Sequence, residues 1–277
     1  MKKNAFQSFA AVPHSVWVAM FIVAPLLFVL AFAFRGADGG FSLANIAELS
    51  QYGNVFVLSI AFALIATVIC LLIGYPLAYF MSRQSARAQR ILMVLVMLPM
   101  WCNLLIRTYA LMALLDNGGL LNSLLEKIGL SKIPIVGTNF GVILGMVYDF
   151  LPYMVLPIFT AMTKLDQRYI EASHDLGCNG WQTMTRVVLP LTMSGVISGV
   201  TMVFVPSIST FYISQKLGAG KIDLVGDTIE RLFQNTATYG VGAAISLVMM
   251  ILILISVGVM NRFSGDDEGD KKGGTVK

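Results

Sequence analysis

Charge is scarce in this 277-residue chain. Only 12% of its residues are Asp, Glu, Lys or Arg, against roughly 25% in an ordinary soluble domain. That scarcity excludes a solvated globular surface of the usual kind. Histidine occurs only at His14 and His174, with no ligand partner at useful spacing. A membrane enzyme would need His, Asp or Glu clustered near one membrane face, and the sequence offers no such cluster. The three cysteines, Cys70, Cys102 and Cys178, have neither pairing nor metal-ligand spacing, so no disulfide and no zinc site is expected. A phosphate-binding loop is also missing. Gly218-Ala219-Gly220-Lys221 imitates its end, but Gln215 and Ile222 stand where Gly and Ser or Thr are required. No cofactor is therefore expected.

What is there is apolar. Hydrophobic residues make up 57% of the chain and mean hydropathy is +0.77. About 20 helical residues cross the hydrocarbon layer. Six runs reach that length: 13–35, 55–82, 91–114, 139–163, 191–213 and 239–262. They are continuous, whereas a membrane barrel would show short alternating segments. The expected fold is all-α and integral to the membrane, with six transmembrane helices. The first run, after Lys2 and Lys3, exceeds a signal-peptide core in length, so it is read as a retained span although Ala31-Phe32-Ala33 imitates a cleavage site.

Lys and Arg placement sets the orientation. With both termini cytoplasmic, the inner segments hold twelve basic residues and the outer segments six, with Arg107 inside a span. The expected location is the plasma membrane, multi-pass, with N and C termini inside. The net charge of +4 then reflects topology rather than nucleic-acid binding. Residues 1–12 form a cytoplasmic N-terminus, 13–262 the six-span domain, and 263–277 a cytoplasmic tail expected to be disordered. The outer loops carry seven acidic residues (Asp38 among them) against six basic ones, which makes no funnel for a cation. Gly141 with Gly145, and Gly195 with Gly199, sit at the spacing that lets helix backbones approach in lipid.

The cytoplasmic loop 164–190 is the most informative stretch. Asp166 is placed to cap a helix that ends at Gly177, and Asn179 with Gln182 makes a capping-box pattern opening a second helix toward Pro190. Two short helices with a sharp glycine turn are expected there. An amphipathic helix lying on the membrane is the competing reading, although it would usually be more basic and lack the internal glycine.

The loop resembles the signature of ATP-binding-cassette importer permeases. That pattern is Glu-Ala-Ala, three residues, Gly, nine residues, Ile, one residue, Leu-Pro. Here stand Glu171, Ala172, Ser173, then Gly177, Val187, and Leu189-Pro190. The resemblance implies a type I ABC importer permease fold with a cytoplasmic coupling helix that docks in a groove of the ATPase. It places Glu171, Ala172, Ser173, Asp175, Gly177, Leu189 and Pro190 at that coupling element. The segments from Leu98 through Trp101 to Tyr109, Tyr148 to Pro152, Phe211 to Ser214 and Lys164 to Asp166 resemble the spermidine/putrescine branch of the family. In that branch a chain of this kind pairs with a second, related permease. ATPase subunits and an extracytoplasmic polyamine-binding protein complete the importer. Sulfate, thiamine and iron permeases share much of these segments, so another small solute stays open. An ion-driven secondary transporter also stays open, separable by its independence of an ATPase.

Trp101, Arg107, Tyr148, Asp149, Phe211 and Tyr212 are the candidate substrate path. Arg107 and Asp149 fall at similar depth in their spans, and a charge at the centre of a membrane helix costs about 2.5–3.5 kcal/mol on insertion scales. Two readings follow. The residues pair with each other, or Asp149 meets a polyamine ammonium beside the aromatic face of Tyr148 or Trp101. Pro152, Pro157 and Pro206, with Ser207 and Ser209, are expected to bend path-lining helices.

Overall fold

The computed structural model describes residues 5–36 and 39–269; Lys2, Lys3, Asp38 and the tail from 270 to 277 lie outside them. Every regular element among the described residues is helical. Two compact units divide the chain, one formed by Met1–Asn54 with Thr228–Leu252, the other by Val55–Asp227 with Ile253–Lys277.

In the first unit, α1 (Ala5–Val18) passes through a π-helical turn into α2 (Ala24–Ala33), followed by the short α3 (Ala44–Ala47). Large apolar side chains along this segment, among them Trp17, Phe21 and Phe28, point outward, as lipid-facing positions do. The C-terminal carbonyls of α2 need donors, and Asn45 supplies them, its amide nitrogen lying 3.2 Å from Ala33 O and 3.0 Å from Arg35 O. Ala33 packs with Ala243 and Ala244 at the small core of this unit.

The second unit begins with α4 (Gly53–Ser82). Ser85 caps α5 (Ala86–Trp101), and Asn103 caps α6 (Leu104–Leu115), its side chain accepting from Leu105 N at 2.8 Å. The third expected span, 91–114, is therefore corrected. It is broken at Cys102, whose extended backbone follows Pro99 and precedes the Asn103 cap. After α7 (Leu120–Lys127), Thr138 caps α8 (Asn139–Thr163), the helix with most of its residues buried.

The loop helices are α9 (Arg168–Asp175), α10 (Gly180–Thr183) and α11 (Leu189–Leu191), followed by α12 (Met193–Ser209) and α13 (Tyr212–Leu217). The fifth expected span, 191–213, thus ends at Ser209, where Thr210 turns extended. A side-chain carbon at Gly195 would sit 2.8 Å from Pro157 O, and one at Gly199 3.1 Å from Met154 O. These two glycines let α12 lie backbone to backbone on α8, as their spacing implied. Helix α14 (Val225–Phe233) leads to α15 (Tyr239–Gly269). The tail expected as disordered from 263 thus continues helically to Gly269; no proline intervenes to stop it.

Among the described residues, five helical stretches are long and apolar enough to cross a membrane: Val12–Ala33, Ala44–Ser82, Leu104–Lys127, Asn139–Thr163 and Thr236–Met260. The pair Gly180–Leu191 and Met193–Ser209, bent by 72°, makes the sixth when counted as one span.

Candidate coupling and transport site

The polar loop is closed by its own hydrogen bonds. Asp166 accepts from Arg168 N at 3.0 Å at the start of α9. At the other end Cys178 N donates to Ser173 O at 3.0 Å and Gly177 N to His174 O at 2.9 Å. That is the Schellman pairing, and Gly177 has the positive φ it needs, +79°. The capping box is complete: Gln182 N donates to Asn179 Oδ1 at 2.8 Å and Asn179 N to Gln182 Oε1 at 2.9 Å.

Ser173 is buried, donates to Ile170 O at 2.7 Å, and is hydrogen-bonded to Thr183 Oγ1 at 2.9 Å. This last bond ties α9 to α10 across the glycine turn. Around that bolt the surface is open. Glu171, Ala172, Asp175, Gly177 and Pro190 are exposed, Leu189 is half-buried, and Leu176 and Trp181 are 85% and 76% exposed. Two large apolar side chains thus lie bare on the same short loop as the exposed carboxylates of Glu171 and Asp175.

The second helix continues through Val187 and Val188 to Pro190, as its spacing implies; within it Met184–Val188 is a π-helical turn, and the chain bends beyond it at Thr192. Pro190 has no N–H to continue the ladder. The buried Thr192 hydroxyl donates to Val188 O at 2.8 Å and meets the Tyr75 hydroxyl at 3.1 Å.

A second polar cluster lies inside the bundle. Asp149 on α8 is fully buried and Arg107 on α6 is 7% exposed. They form an ion pair through Arg107 Nε and Asp149 Oδ1. Thr108 Oγ1 lies 3.2 Å from Asp149 Oδ2, Arg107 Nη2 donates to Asp149 O at 3.3 Å, and Arg107 Nη1 donates to Pro99 O at 2.9 Å. The guanidinium lies 5.7 Å from the Tyr148 ring centroid. Arg107 therefore joins three elements: the end of α5 at the break, α6 and α8. Of the two readings of this pair, the geometry gives mutual pairing, with both carboxylate oxygens engaged. Trp101 stands exposed at the break itself.

Tyr212 belongs to a third group, while Phe211 stands exposed just before it at the start of α13. Tyr212 meets Tyr109 edge-on at 5.8 Å, and the Lys216 ammonium lies 4.9 Å and 5.6 Å from the two ring centroids. A hydrogen bond with Tyr109 is the main cause holding the Lys216 ammonium charged to higher pH than usual. Thr108, Tyr109 and Lys216 were missing from the sequence reading. The Tyr212–Lys216 spacing of one helical turn was the available signal. For Thr108 and Tyr109 no local signal existed.

The family comparison decides the class. Residues 72–265 match the model described as the binding-protein-dependent transport system inner membrane component. The chain belongs to that family. It is an ABC importer permease, a multi-pass component of the plasma membrane. Membership implies an ATPase and a substrate-binding protein as partners. Among curated relatives, the spermidine/putrescine transport system permease protein PotB of Haemophilus influenzae is 38% identical, covering 94% of both chains. PotB of Escherichia coli is 36% identical over 86% of this chain and 90% of its own. A permease-sized chain of the bacterial alginate ABC transporter, solved with its pentasaccharide-bound periplasmic protein, shares the fold of this permease with a TM-score of 0.76 at 18% identity, covering 95% of both chains.

Proposed function

We propose that this permease imports spermidine or putrescine by alternating access, with ATP hydrolysis supplied by its ATPase partner. The observation that carries the substrate is identity of 36–38% with permeases named for those polyamines. The Tyr109–Tyr212 pair supports it: two rings already hold one alkylammonium, that of Lys216, and the terminal groups of a polyamine have the same chemistry.

The chain has no ATPase site of its own on this reading. Work arrives through the loop 164–190 on the cytoplasmic side, where both termini also lie. Glu171, Ala172, Asp175, Gly177, Leu189 and Pro190 form or shape the docking face, and Ser173 bolts it. A rigid pair of helices transmits a rigid-body displacement, and the bolted turn suits that task. A second, related permease completes the pathway, and a polyamine-binding protein delivers substrate from outside. Tyr109, Tyr148, Phe211, Tyr212 and Trp101 line the path, while the Arg107–Asp149 pair holds its wall.

The test is uptake of labelled spermidine and labelled sulfate in cells lacking the gene, with and without its restoration. Recovery of spermidine uptake alone is the expected result. Recovery of sulfate uptake instead would assign a different solute to the same machine.

A further inference from the structure

Beside the loop lies an apolar groove that substrate passage leaves unused and that shares only Leu189 with the residues assigned to coupling. It measures ≈ 570 Å³ and runs between α4 and the stretch Gly180–Leu189, with Leu71, Leu72, Tyr75, Tyr79, Trp181 and Met184 among its walls. Two of its hydroxyls are already committed. The Tyr75 hydroxyl is paired with Thr192 Oγ1, and Thr185 Oγ1 donates to Trp181 O at 2.9 Å. The rest of its wall is mainly hydrocarbon and aromatic faces.

One end of the groove is charged. The Arg83 guanidinium sits over the Tyr79 ring, 5.0 Å from its centroid. Among the described residues no carboxylate lies within 4.0 Å of it. Arg83, one residue past the end of α4, lies four residues from the groove's last wall residue on α4, Tyr79, and twelve from its apolar end, Leu71. At 1.5 Å per residue that is about 18 Å, and one leaflet of the hydrocarbon core is about 15 Å deep. Groove and cation together therefore span one leaflet, with the cation at headgroup level and Tyr79 and Trp181 where interfacial aromatics belong.

We propose that this groove binds an anionic phospholipid of the surrounding membrane, one acyl chain along α4 and its headgroup phosphate on Arg83. Arginine suits that phosphate because its planar fork donates two parallel hydrogen bonds. The lipid is wedged between a transmembrane helix and the π-helical turn Met184–Val188, so its presence sets the spacing between α4 and the coupling stretch. Anionic lipid is thus a tuning ligand for coupling, whatever solute is carried.

The experiment uses the complete importer, with its ATPase, in vesicles of phosphatidylcholine alone and of phosphatidylcholine with phosphatidylglycerol. Coupled ATP hydrolysis of the unmodified importer is expected to rise with phosphatidylglycerol. Arg83→Gln is expected to need about fivefold more phosphatidylglycerol for the same rise, the effect of one basic residue near an anionic surface. Arg87→Gln removes an equal charge from the same membrane face but not from the groove, and is expected to respond like the unmodified importer. A phosphatidylglycerol carrying a mid-chain diazirine is expected to label residues 71–79. Equal loss in Arg83→Gln and Arg87→Gln would reduce the effect to surface charge and overturn the proposal. So would absence of label on 71–79, or a crosslink from Trp181 to another subunit showing that protein fills the groove. None of these outcomes depends on which solute is imported, so the polyamine reading stands or falls separately.

Discussion

Two polar clusters stand out in this apolar chain, and they are closed in opposite ways. The coupling loop satisfies itself locally. The bonds of its cap, turn and bolt span ten residues or fewer, from Asp166–Arg168 to Ser173–Thr183. The buried cluster closes over distance: Thr108 and Arg107 reach Asp149 across 41 and 42 residues. The loop turns its polar and large apolar groups outward. The buried pair turns its charges inward, toward each other. A membrane protein thus uses polarity twice, once as a handle and once as an internal staple. The first is written in local spacing, the second in matching depth that only the fold resolves into a pair.

The sharpest way to break this comparison is to remove half of the staple. Arg107→Met leaves the Asp149 carboxylate buried without its partner. Breaking a buried pair in this manner costs about 3–5 kcal/mol, so the folded, monodisperse yield from membranes should collapse. Arg107→Met with Asp149→Leu removes both charges and should restore yield and melting temperature. If Asp149 instead served the substrate, the double variant would fold yet lose uptake entirely. That split between yield and transport separates the two roles of the residue.

The handle should fail differently. Gly177→Val forces a β-branched residue to φ +79°, where any side chain costs about 1–2 kcal/mol and a branched one more. No atom lies within 4 Å of the added carbon, so the penalty is backbone strain alone. The chain should insert at normal levels while uptake disappears. Gly177→Asn, which tolerates that backbone region, should keep most of the uptake. Equal loss in both variants would point to steric contact with the ATPase rather than to the turn.

The same contrast explains what the sequence made legible. The spans, the Gly195–Gly199 approach and the Asn179–Gln182 box rest on local periodicity and capping, which can be read along the chain. The break at Cys102–Asn103 was missed because the run 91–114 is apolar throughout, although Pro99 and Asn103 were its punctuation. The π-helical turn before Pro190 was missed for a related reason. Proline announces a disturbance of the ladder but not whether it takes the form of a kink or a wider turn. For Asp149, matching depth along the chain already offered Arg107 as a partner in one of two readings, and the ion pair bears that reading out; Thr108, on the same helix as Arg107, carried no such signal. The Tyr109–Lys216 contact was equally hidden.

A finer cut falls on the bolt of the loop. Ser173→Ala leaves the buried Thr183 hydroxyl without Ser173, a loss of about 1 kcal/mol. Coupled ATP hydrolysis should fall several-fold with insertion unchanged. Adding Thr183→Val removes the orphaned hydroxyl and should recover much of the loss. Failure of that rescue would mean the Ser173 hydroxyl serves the ATPase interface directly.

The smallest expected effect tests the aromatic pair, which belongs to neither cluster. Tyr212 and Tyr109 hold the Lys216 ammonium at cation–π distances. Contacts of this kind at exposed sites are worth about 0.5–1 kcal/mol, a factor of roughly two to five in apparent affinity. Tyr212→Ala should therefore raise the spermidine concentration for half-maximal uptake by about that factor, and Tyr212→Phe, which keeps the ring, should change it little. Lys216→Gln frees both rings and should move the value the other way if Lys216 competes with substrate for them. If Lys216→Gln instead weakens uptake as Tyr212→Ala does, the three residues act as one brace, and the rings serve the fold in the same manner as Arg107 and Asp149.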